Sequence, residues 1–258
     1  MTRRRFFIPP DQLDDPNPYI QGDEARHLLK VLRLKVGDEV VLFDNSGQEC
    51  PSRICAVSKD KVCFEMGDRQ MPLRESPLDL SLGVPLIRSQ PFEWILQKGT
   101  EMGVSSFHPF FSAHSSRNFQ KTEQENRSIR WQRIVQEAAK QCRRNVLPLL
   151  HPMVSFVDLI QQNSGGIKII PYEEESGRTL VDLKQGHSFT DSIMALVGPE
   201  GGFTSEEVGL AEEKGFVSIS LGPRTLRSET AALALIGLCQ FLWGDMGAGR
   251  KGGEDALP

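Results

Sequence analysis

Short apolar runs separated by polar turns dominate the second half of the chain. Two of them, at residues 193–197 and 217–221, are each followed at once by a glycine-proline pair. Runs of this length with such sharp ends predict buried strands of an α/β sheet. Thr204 and Glu207 have the spacing of a capping box, which predicts that a helix begins between the two runs.

The pattern in the first seventy residues is different. Three short alternating runs at residues 38–44, 53–57 and 62–66 are separated by turn-forming residues at 45–47 and 59–60. This arrangement predicts a meander of antiparallel strands. The N-terminal part of the chain is therefore expected to form a small β domain of its own.

Strand and helix patterns alternate over the rest of the chain. Residues 79–86 and 167–170 have the pattern of strands, and apolar positions between Phe92 and Met102 mark the buried side of a helix. A basic helix is expected over residues 127–144, after a long polar connection that starts at Ser112 and ends at Asn126. The alternation predicts an α/β domain. The predicted division is a β domain, a polar linker, an α/β domain and a flexible tail, at residues 1–70, 71–78, 79–246 and 247–258.

Glycines lie where both apolar runs of the C-terminal half end. Gly198, Gly201 and Gly202 stand between the first run and the predicted helix, and Gly222 follows the second run. Glycines there let the backbone approach a ligand, and free N–H groups at a helix start can point at its oxygens. A tight turn would explain one such loop. Two loops of the same construction favour a small-molecule site at the carboxyl ends of the strands.

The sequences of these two loops resemble those of a known protein family. Residues 196–203 (LVGPEGGF) and 221–231 (LGPRTLRSETA) resemble the SPOUT class of RNA methyltransferases, and more narrowly the ribosomal RNA small subunit methyltransferase E family. The similarity extends to residues 5–7, 27–33, 98–103 and 141–145. It implies methylation of N3 of a uridine in 16S rRNA with S-adenosyl-L-methionine as cofactor. It also implies a C-terminal trefoil knot, an N-terminal PUA-like β-barrel and a homodimer.

The resemblance also implies a set of cofactor contacts, made mostly by backbone groups. They are Val197, Gly198, Pro199, Glu200, Gly201, Gly202, Leu221, Gly222, Leu226, Arg227, Ser228, Thr230 and Ala231.

The chemistry of the reaction suggests two catalytic residues. Uracil N3 carries a weakly acidic proton, so the enzyme must remove it or stabilise the anion that forms. Arg227 is the candidate for negative charge on the uracil oxygens, and Glu229 for proton removal or for fixing the arginine. An Arg-Glu pair that merely ties the loop to the next helix is the alternative. Glu200 and Arg224 are further candidates.

Charge is distributed unevenly along the chain. The formal net charge is -4, yet residues 127–144 contain six basic residues and one acidic residue. Such a stripe is either a solvated helix face or a surface that contacts phosphates. The residues expected to contact RNA are Arg3, Arg4, Arg5, Arg33, Arg143 and Arg144.

Several classes of protein lack support in the sequence. No apolar run approaches the roughly 20 residues needed to span a bilayer, and no signal peptide is expected, so a cytoplasmic protein is predicted. The five cysteines are scattered without a C-x-x-C pair, which predicts reduced thiols and no metal site. Motifs for dinucleotides, NTP hydrolysis and zinc proteolysis are absent. Two alternatives remain: another SPOUT enzyme, acting on a tRNA base or a ribose 2'-oxygen, or a non-catalytic RNA-binding module.

Overall fold

The structure, a computed structural model, describes residues 4–115, 121–162 and 165–247, and its contacts divide the chain into two units. The first unit comprises Met1–Glu75 together with Gln136–Leu147, and the second comprises Ser76–Val135 and Pro148–Pro258. The sequence pattern did not indicate that residues 136–147 return to the first unit. The domain boundaries predicted near residues 70 and 79 stay predictions.

The first unit is built on a five-stranded sheet. Its strands and helices are β1 (Arg4–Phe7), α1 (Pro10–Leu13), β2 (Tyr19–Gln21), α2 (Asp23–Arg26), a π-helical turn (His27–Val31), β3 (Glu39–Phe43), β4 (Glu49–Val57) and β5 (Lys61–Met66). The order across the sheet is β1-β3-β4-β5-β2, with β3, β4 and β5 antiparallel as the meander pattern predicts. Phe6, Ile8, Leu28, Ile54 and Phe64 are among the side chains that form its buried core.

The second unit is built on a parallel sheet. Its elements are β6 (Asp79–Pro85), α3 (Ser89–Glu101), β7 (Ser106–Phe111), α4 (Lys121–Cys142), β8 (Leu149–Leu150), β9 (Val154–Ser155), α5 (Phe156–Gln161), β10 (Ile167–Pro171), α6 (Leu180–Gly186), β11 (Ser192–Leu196), α7 (Ser205–Glu213), β12 (Phe216–Ile219) and α8 (Ser228–Leu242). The strand order is β12-β10-β11-β6-β7-β8, and β9 also pairs with β7.

Both faces of this parallel sheet are buried. On β11, Ile193 and Ala195 belong to one core cluster, whereas Met194 and Leu196 belong to another. The first cluster includes side chains of α3 and α8, and the second includes side chains of α5 and α7. A strand covered on both faces has no polar face, which explains the nearly continuous apolar runs in the sequence.

Helix α4 begins earlier than the pattern predicts. The expected polar connection up to Asn126 is wrong, because the helix starts at Lys121; residues 116–120 of that connection lie outside the described residues. Lys, Glu and Gln are good helix formers, so a polar stretch rich in them propagates a helix. The helix ends at Cys142 rather than at Arg144, because Arg143 adopts a left-handed conformation with φ of +68°.

The predicted fold class is confirmed in its main features: a mixed α/β chain with a parallel sheet and a separate N-terminal β unit. The trefoil knot stays a prediction. Of the predicted tail, residues 248–258 lie outside the described residues. None of the helices in the described ranges is long and apolar enough to cross a bilayer.

Candidate functional site

Three neighbouring strands of the second unit end at the same edge of the sheet. They are β10, β11 and β12, which pair in parallel in the order β12-β10-β11. The loops that follow them, together with the start of α8, enclose a cavity of about 240 Å³. The carboxyl edge of an open parallel sheet is where ligands usually bind.

The cavity lining includes most residues that the sequence associates with a cofactor. They are Val197, Gly198, Pro199, Glu200, Gly201, Gly202, Leu221, Gly222, Leu226, Ser228 and Ala231. Three predicted residues lie outside the lining: Arg227 and Thr230, which were expected to contact the cofactor, and the catalytic candidate Glu229. Arg224, a further candidate, does line the cavity.

Sequence reasoning missed one wall of the cavity. Pro171, Tyr172 and Glu173, at the end of β10, line it together with Phe203 and Thr225. The strand at residues 167–170 was predicted, but its position beside β11 was not. With that strand order, the rule that ligands bind at carboxyl ends would have pointed to these residues.

A buried serine joins the two glycine-proline loops. Ser228, the first residue of α8, donates from Oγ to the carbonyl oxygen of Gly198, 2.7 Å away. Its side chain is buried, so this hydrogen bond fixes the spacing of the loops on both sides of the cavity. Arg227 comes directly before it at the N-cap of α8, with an exposed side chain.

The glycine loop after β11 needs glycine for conformation and for space. Gly202 has φ of +73°, and its N–H donates to the carbonyl oxygen of Pro199 at 3.0 Å. A side chain at position 202 would meet the Glu173 carboxylate at 3.2 Å. The predicted capping box follows: Thr204 Oγ1 accepts from the Glu207 N–H, and Glu207 accepts from the Thr204 N–H.

Charged side chains lie at the rim of the cavity. Glu173 and Arg224 are exposed there, and Glu200 forms an exposed ion pair with Arg88 at 3.8 Å. Tyr172 donates a hydrogen bond to Glu174, and this bond raises the pKa of the Tyr172 hydroxyl. The cavity therefore combines backbone groups inside with carboxylates and a guanidinium at its mouth, which suits a polar ligand that carries both signs of charge.

Two of the arginines expected to contact RNA are buried in the first unit. Arg144 is 6% exposed, and its Nε donates to Glu75 at 2.8 Å. Arg5 donates to Glu49 and to Asn145, and burial lowers the pKa of its guanidinium. Buried, paired guanidinium groups are not available to phosphates, so the expectation of RNA contacts is corrected for both residues.

The other predicted RNA contacts are distributed differently. Arg4, Arg33 and Arg143 have exposed side chains, and Arg4 donates to the carbonyl oxygen of Leu32, next to Arg33. Arg3 lies outside the described residues. The basic stripe of α4 is partly neutralised within each unit, since Arg130 pairs with Glu93, and Lys140 with Glu24 and Glu137.

No group of three or more histidine, cysteine or carboxylate side chains that could hold a metal ion occurs among the residues with described positions.

Comparison with known proteins agrees with the architecture of both units. A family model described as an RNA methyltransferase domain matches residues 74–240, and one described as an RNA methyltransferase PUA domain matches residues 20–66. The fold and the loop-built site are thus those of an RNA methyltransferase.

Similar sequences make the assignment narrower. Ribosomal RNA small subunit methyltransferase E of Bacillus subtilis (strain 168) is 34% identical over 242 residues, which cover 89% of this chain and 93% of that protein. The protein of that name from Buchnera aphidicola subsp. Acyrthosiphon pisum is 30% identical over 242 residues, covering 93% and 94%. The chain belongs to the ribosomal RNA small subunit methyltransferase E family.

Solved structures of similar proteins contain a cofactor. A methyltransferase from Legionella pneumophila, determined with bound SAM, matches with a TM-score of 0.87 at 27% identity, covering 95% of this chain and 100% of that one. A ribosomal RNA small subunit methyltransferase E from Neisseria gonorrhoeae, bound to S-adenosyl methionine, matches with a TM-score of 0.86 at 30% identity and the same coverage.

Proposed function

We propose that this protein methylates N3 of a uridine in 16S rRNA, with S-adenosyl-L-methionine as the methyl donor. The observation that carries the proposal is the cavity of about 240 Å³ between the two glycine-proline loops. Its lining fits a donor that carries an ammonium group, a carboxylate and a sulfonium. Relatives of similar fold bind this cofactor.

The cavity residues hold the donor mainly through the backbone. The N–H groups of the loop at residues 198–202 that its own turn does not use, together with those at the start of α8, supply donors, and Ser228 keeps the two loops in register. Fixing the sulfonium methyl group in line with the acceptor nitrogen contributes on the order of 7 to 11 kcal/mol to lowering the barrier. Positioning the two reactants is therefore the main contribution of these loops to lowering the activation barrier.

Arg227 and Glu229 are proposed to act on the uracil. Arg227 lies between Leu226 and Ser228, which both line the cavity, and its exposed guanidinium is free to turn toward a base at the cavity mouth. There it stabilises negative charge on a uracil oxygen as the N3 proton leaves. Glu229 is half-buried two residues after Arg227, where it is suited to orienting that arginine.

The first unit is proposed to dock the RNA. Its PUA match and the exposed side chains of Arg4, Arg33 and Arg143 support a phosphate-contacting surface, to which Arg3 is added from the sequence. Such contacts position the substrate without selecting its sequence.

A homodimer is also proposed. Helix α8 carries no charged residue from Thr230 to Trp243, although Leu238 is 43% exposed and Phe241 is 61% exposed. These two residues are three apart on the helix and therefore share one face. An exposed apolar stripe of this kind is typical of a protein interface.

A cytoplasmic location, where ribosomal subunits are assembled, follows from the proposed substrate.

The decisive experiment is nucleoside mass spectrometry of rRNA and tRNA from cells that lack the gene. The proposal predicts loss of N3-methyluridine from 16S rRNA, restored by the wild-type gene, and methylation of purified small subunits or 16S rRNA by the pure protein with S-adenosyl-L-methionine. Loss of a tRNA or ribose methylation instead would identify a different SPOUT activity. No loss, together with cofactor binding but no turnover, would identify a non-catalytic RNA-binding module.

A further inference from the structure

A short turn outside the predicted site lies directly against the glycine loop. Residues 112–115 follow β7, whose carboxyl end is at the same sheet edge as that of β11. The Ser112 N–H donates to Ser115 Oγ at 2.9 Å, and the Ser115 N–H donates back to the Ser112 carbonyl oxygen at 3.0 Å. The turn is therefore closed by its own hydrogen bonds.

A buried carboxylate fixes this turn to the start of α7. The Ala113 N–H donates to Glu207 Oε1 at 2.8 Å, while Glu207 Oε2 accepts from the Thr204 N–H at 3.0 Å. Glu207 is 8% exposed. One side chain therefore completes the capping box of α7 and also holds residues 112–115 in place.

The next residue of the turn, His114, packs on the glycines that line the cavity. Its Nδ1 is 3.2 Å from the carbonyl oxygen of Gly202. A Cβ at Gly201 would lie 3.2 Å from Cβ and Cγ of His114, closer than most such contacts, so the absence of a side chain at position 201 allows the imidazole to approach the loop. Since Gly201 and Gly202 both line the cavity, the imidazole lies one layer of backbone away from the space proposed for the methyl donor.

The hydrogen bond to Gly202 determines which ring nitrogen is free. A carbonyl oxygen can only accept, so Nδ1 carries the proton and donates it. In the neutral imidazole, Nε2 then has a lone pair, and within the described part of the chain it has no hydrogen-bond partner. His114 is exposed, which leaves Nε2 accessible to a substrate. A fixed tautomer with an open acceptor nitrogen is the arrangement of a general base.

We infer that Nε2 of His114 accepts the N3 proton of the uridine. The inference rests on the proposed function and deepens it. The proton moves from uracil N3 to Nε2, and the N3 electron pair forms a bond to the methyl carbon. The carbon–sulfur bond of the sulfonium breaks, which leaves neutral S-adenosylhomocysteine, and the imidazolium later returns its proton to water.

Two carboxylates lie next to residues that adjoin His114. Glu207 on α7 lies behind the turn, and Glu173 after β10 lies on the other side of Gly202. Neither His114 nor Glu229 lines the cavity, but His114 contacts the glycine loop that does, so His114 takes the role of proton removal and Glu229 keeps the role of orienting Arg227.

The test compares His114→Asn and His114→Ala with His187→Asn, a change at an exposed histidine of the same unit away from the cavity. Asparagine keeps a donor near the position of Nδ1 but has no base. We expect turnover on saturating 16S substrate to fall about 10²- to 10⁴-fold in both His114 variants. S-adenosyl-L-methionine affinity by calorimetry should stay within about twofold. His187→Asn should behave as wild type.

Two further readouts separate a base from a structural residue. Wild-type turnover should fall as pH is lowered from about 8 to 5, the interval in which imidazoles gain a proton, and His114→Asn should lack this step. Added imidazole should restore part of the turnover of His114→Ala. Near-normal turnover of His114→Asn, or an unchanged pH profile in that variant, would overturn the inference. If the wild-type protein forms no N3-methyluridine, the proposed function fails and the inference fails with it.

Discussion

At the scale of single residues, the site is defined by a few groups whose neighbours determine what they can do. Ser228 is fixed by its bond to Gly198, and His114 by its bond to Gly202. Arg227 has an exposed side chain beside the cavity, whereas Arg144 pairs with a carboxylate in a buried place. Two arginines therefore differ in what they can contact, because the Arg227 side chain is exposed to solvent whereas Arg144 is desolvated and paired.

The first prediction concerns Arg227. If it stabilises charge that develops only in the transition state, Arg227→Ala should lower kcat about 10²- to 10³-fold, while the affinities for RNA and S-adenosyl-L-methionine change little. Single-turnover kinetics and calorimetry measure these quantities. Arg178→Ala, at an exposed arginine of the same unit outside the cavity lining, is the matched control. Near-normal turnover of Arg227→Ala would remove this residue from the chemistry.

A second prediction concerns His108, a buried histidine in the second unit. Its Nε2 is 3.0 Å from Ser106 Oγ, its ring stacks on His151 at 4.0 Å, and burial lowers its pKa to about 4. Because the unfolded chain takes up this proton first, near pH 6.5, stability is complete above that pH and is lost as pH falls toward 4. The loss from this residue is at most about 3 kcal/mol.

Denaturant unfolding at several pH values tests this linkage. His108→Asn cannot titrate there, so its free energy of unfolding should fall less than that of wild type between pH 7 and pH 4. His187→Asn, which changes an exposed histidine, should follow the wild-type curve. Parallel curves for His108→Asn and wild type would show that His108 is not the residue responsible for the acid sensitivity.

At the scale of elements, helices α7 and α8 both have features that can be read from their own sequences, and both border the site. The capping box of α7 is read directly from Thr204 and Glu207, yet Glu207 also holds the turn at residues 112–115. Helix α8 buries Leu235 and Ile236 and exposes Leu238 and Phe241. A helix that is apolar on both its inner and its outer face is expected to pack against another protein surface on the outer face.

That outer side of α8 gives the third prediction. If it forms the homodimer interface, the double change Leu238→Glu/Phe241→Glu should convert a dimer into a folded monomer, because it places four charges in a desolvated contact between two copies. Light scattering measures the mass, and circular dichroism checks the fold. Phe189→Glu changes a side chain that is 84% exposed elsewhere in the unit and should leave the dimer intact. A monomeric wild-type protein at micromolar concentration would contradict the proposal.

At the scale of the whole molecule, the two units have separate proposed tasks: the second holds the methyl donor and the first contacts RNA. The net charge of -4 gives no sign of this, since the acidic and basic residues are unevenly placed. Loss of a phosphate contact changes the salt dependence of RNA binding, whereas loss of a catalytic contact changes the turnover rate.

The fourth prediction uses that difference. Arg4, Arg33 and Arg143 changed together to alanine should weaken RNA binding and reduce the slope of log affinity against log salt by up to about 3, with kcat at saturating RNA nearly intact. Filter binding at several salt concentrations gives the slope. Arg53→Ala, at an exposed arginine paired with Glu39 in the same unit, is the control. An unchanged slope would place the RNA surface elsewhere.

The sequence alone determined the features that depend on neighbours along the chain. The strands at β6, β10 and β11, the capping box of α7 and the two glycine-proline loops follow from periodicity and turn chemistry, which act within a few residues. The family resemblance added the cofactor-contact positions, and most of them do line the cavity.

Only the tertiary structure decided which distant residues meet. The strand order β12-β10-β11 brings Glu173 to the cavity, and the bond from Ala113 to Glu207 brings His114 to the glycine loop. The burial of Arg5 and Arg144 also depends on partners far along the chain, with Arg5 contacting Asn145, 140 residues away. A one-dimensional pattern records which residues are charged or apolar. Whether a charged side chain contacts water, a carboxylate or a ligand depends on which distant segments pack together, and the sequence pattern does not specify that packing.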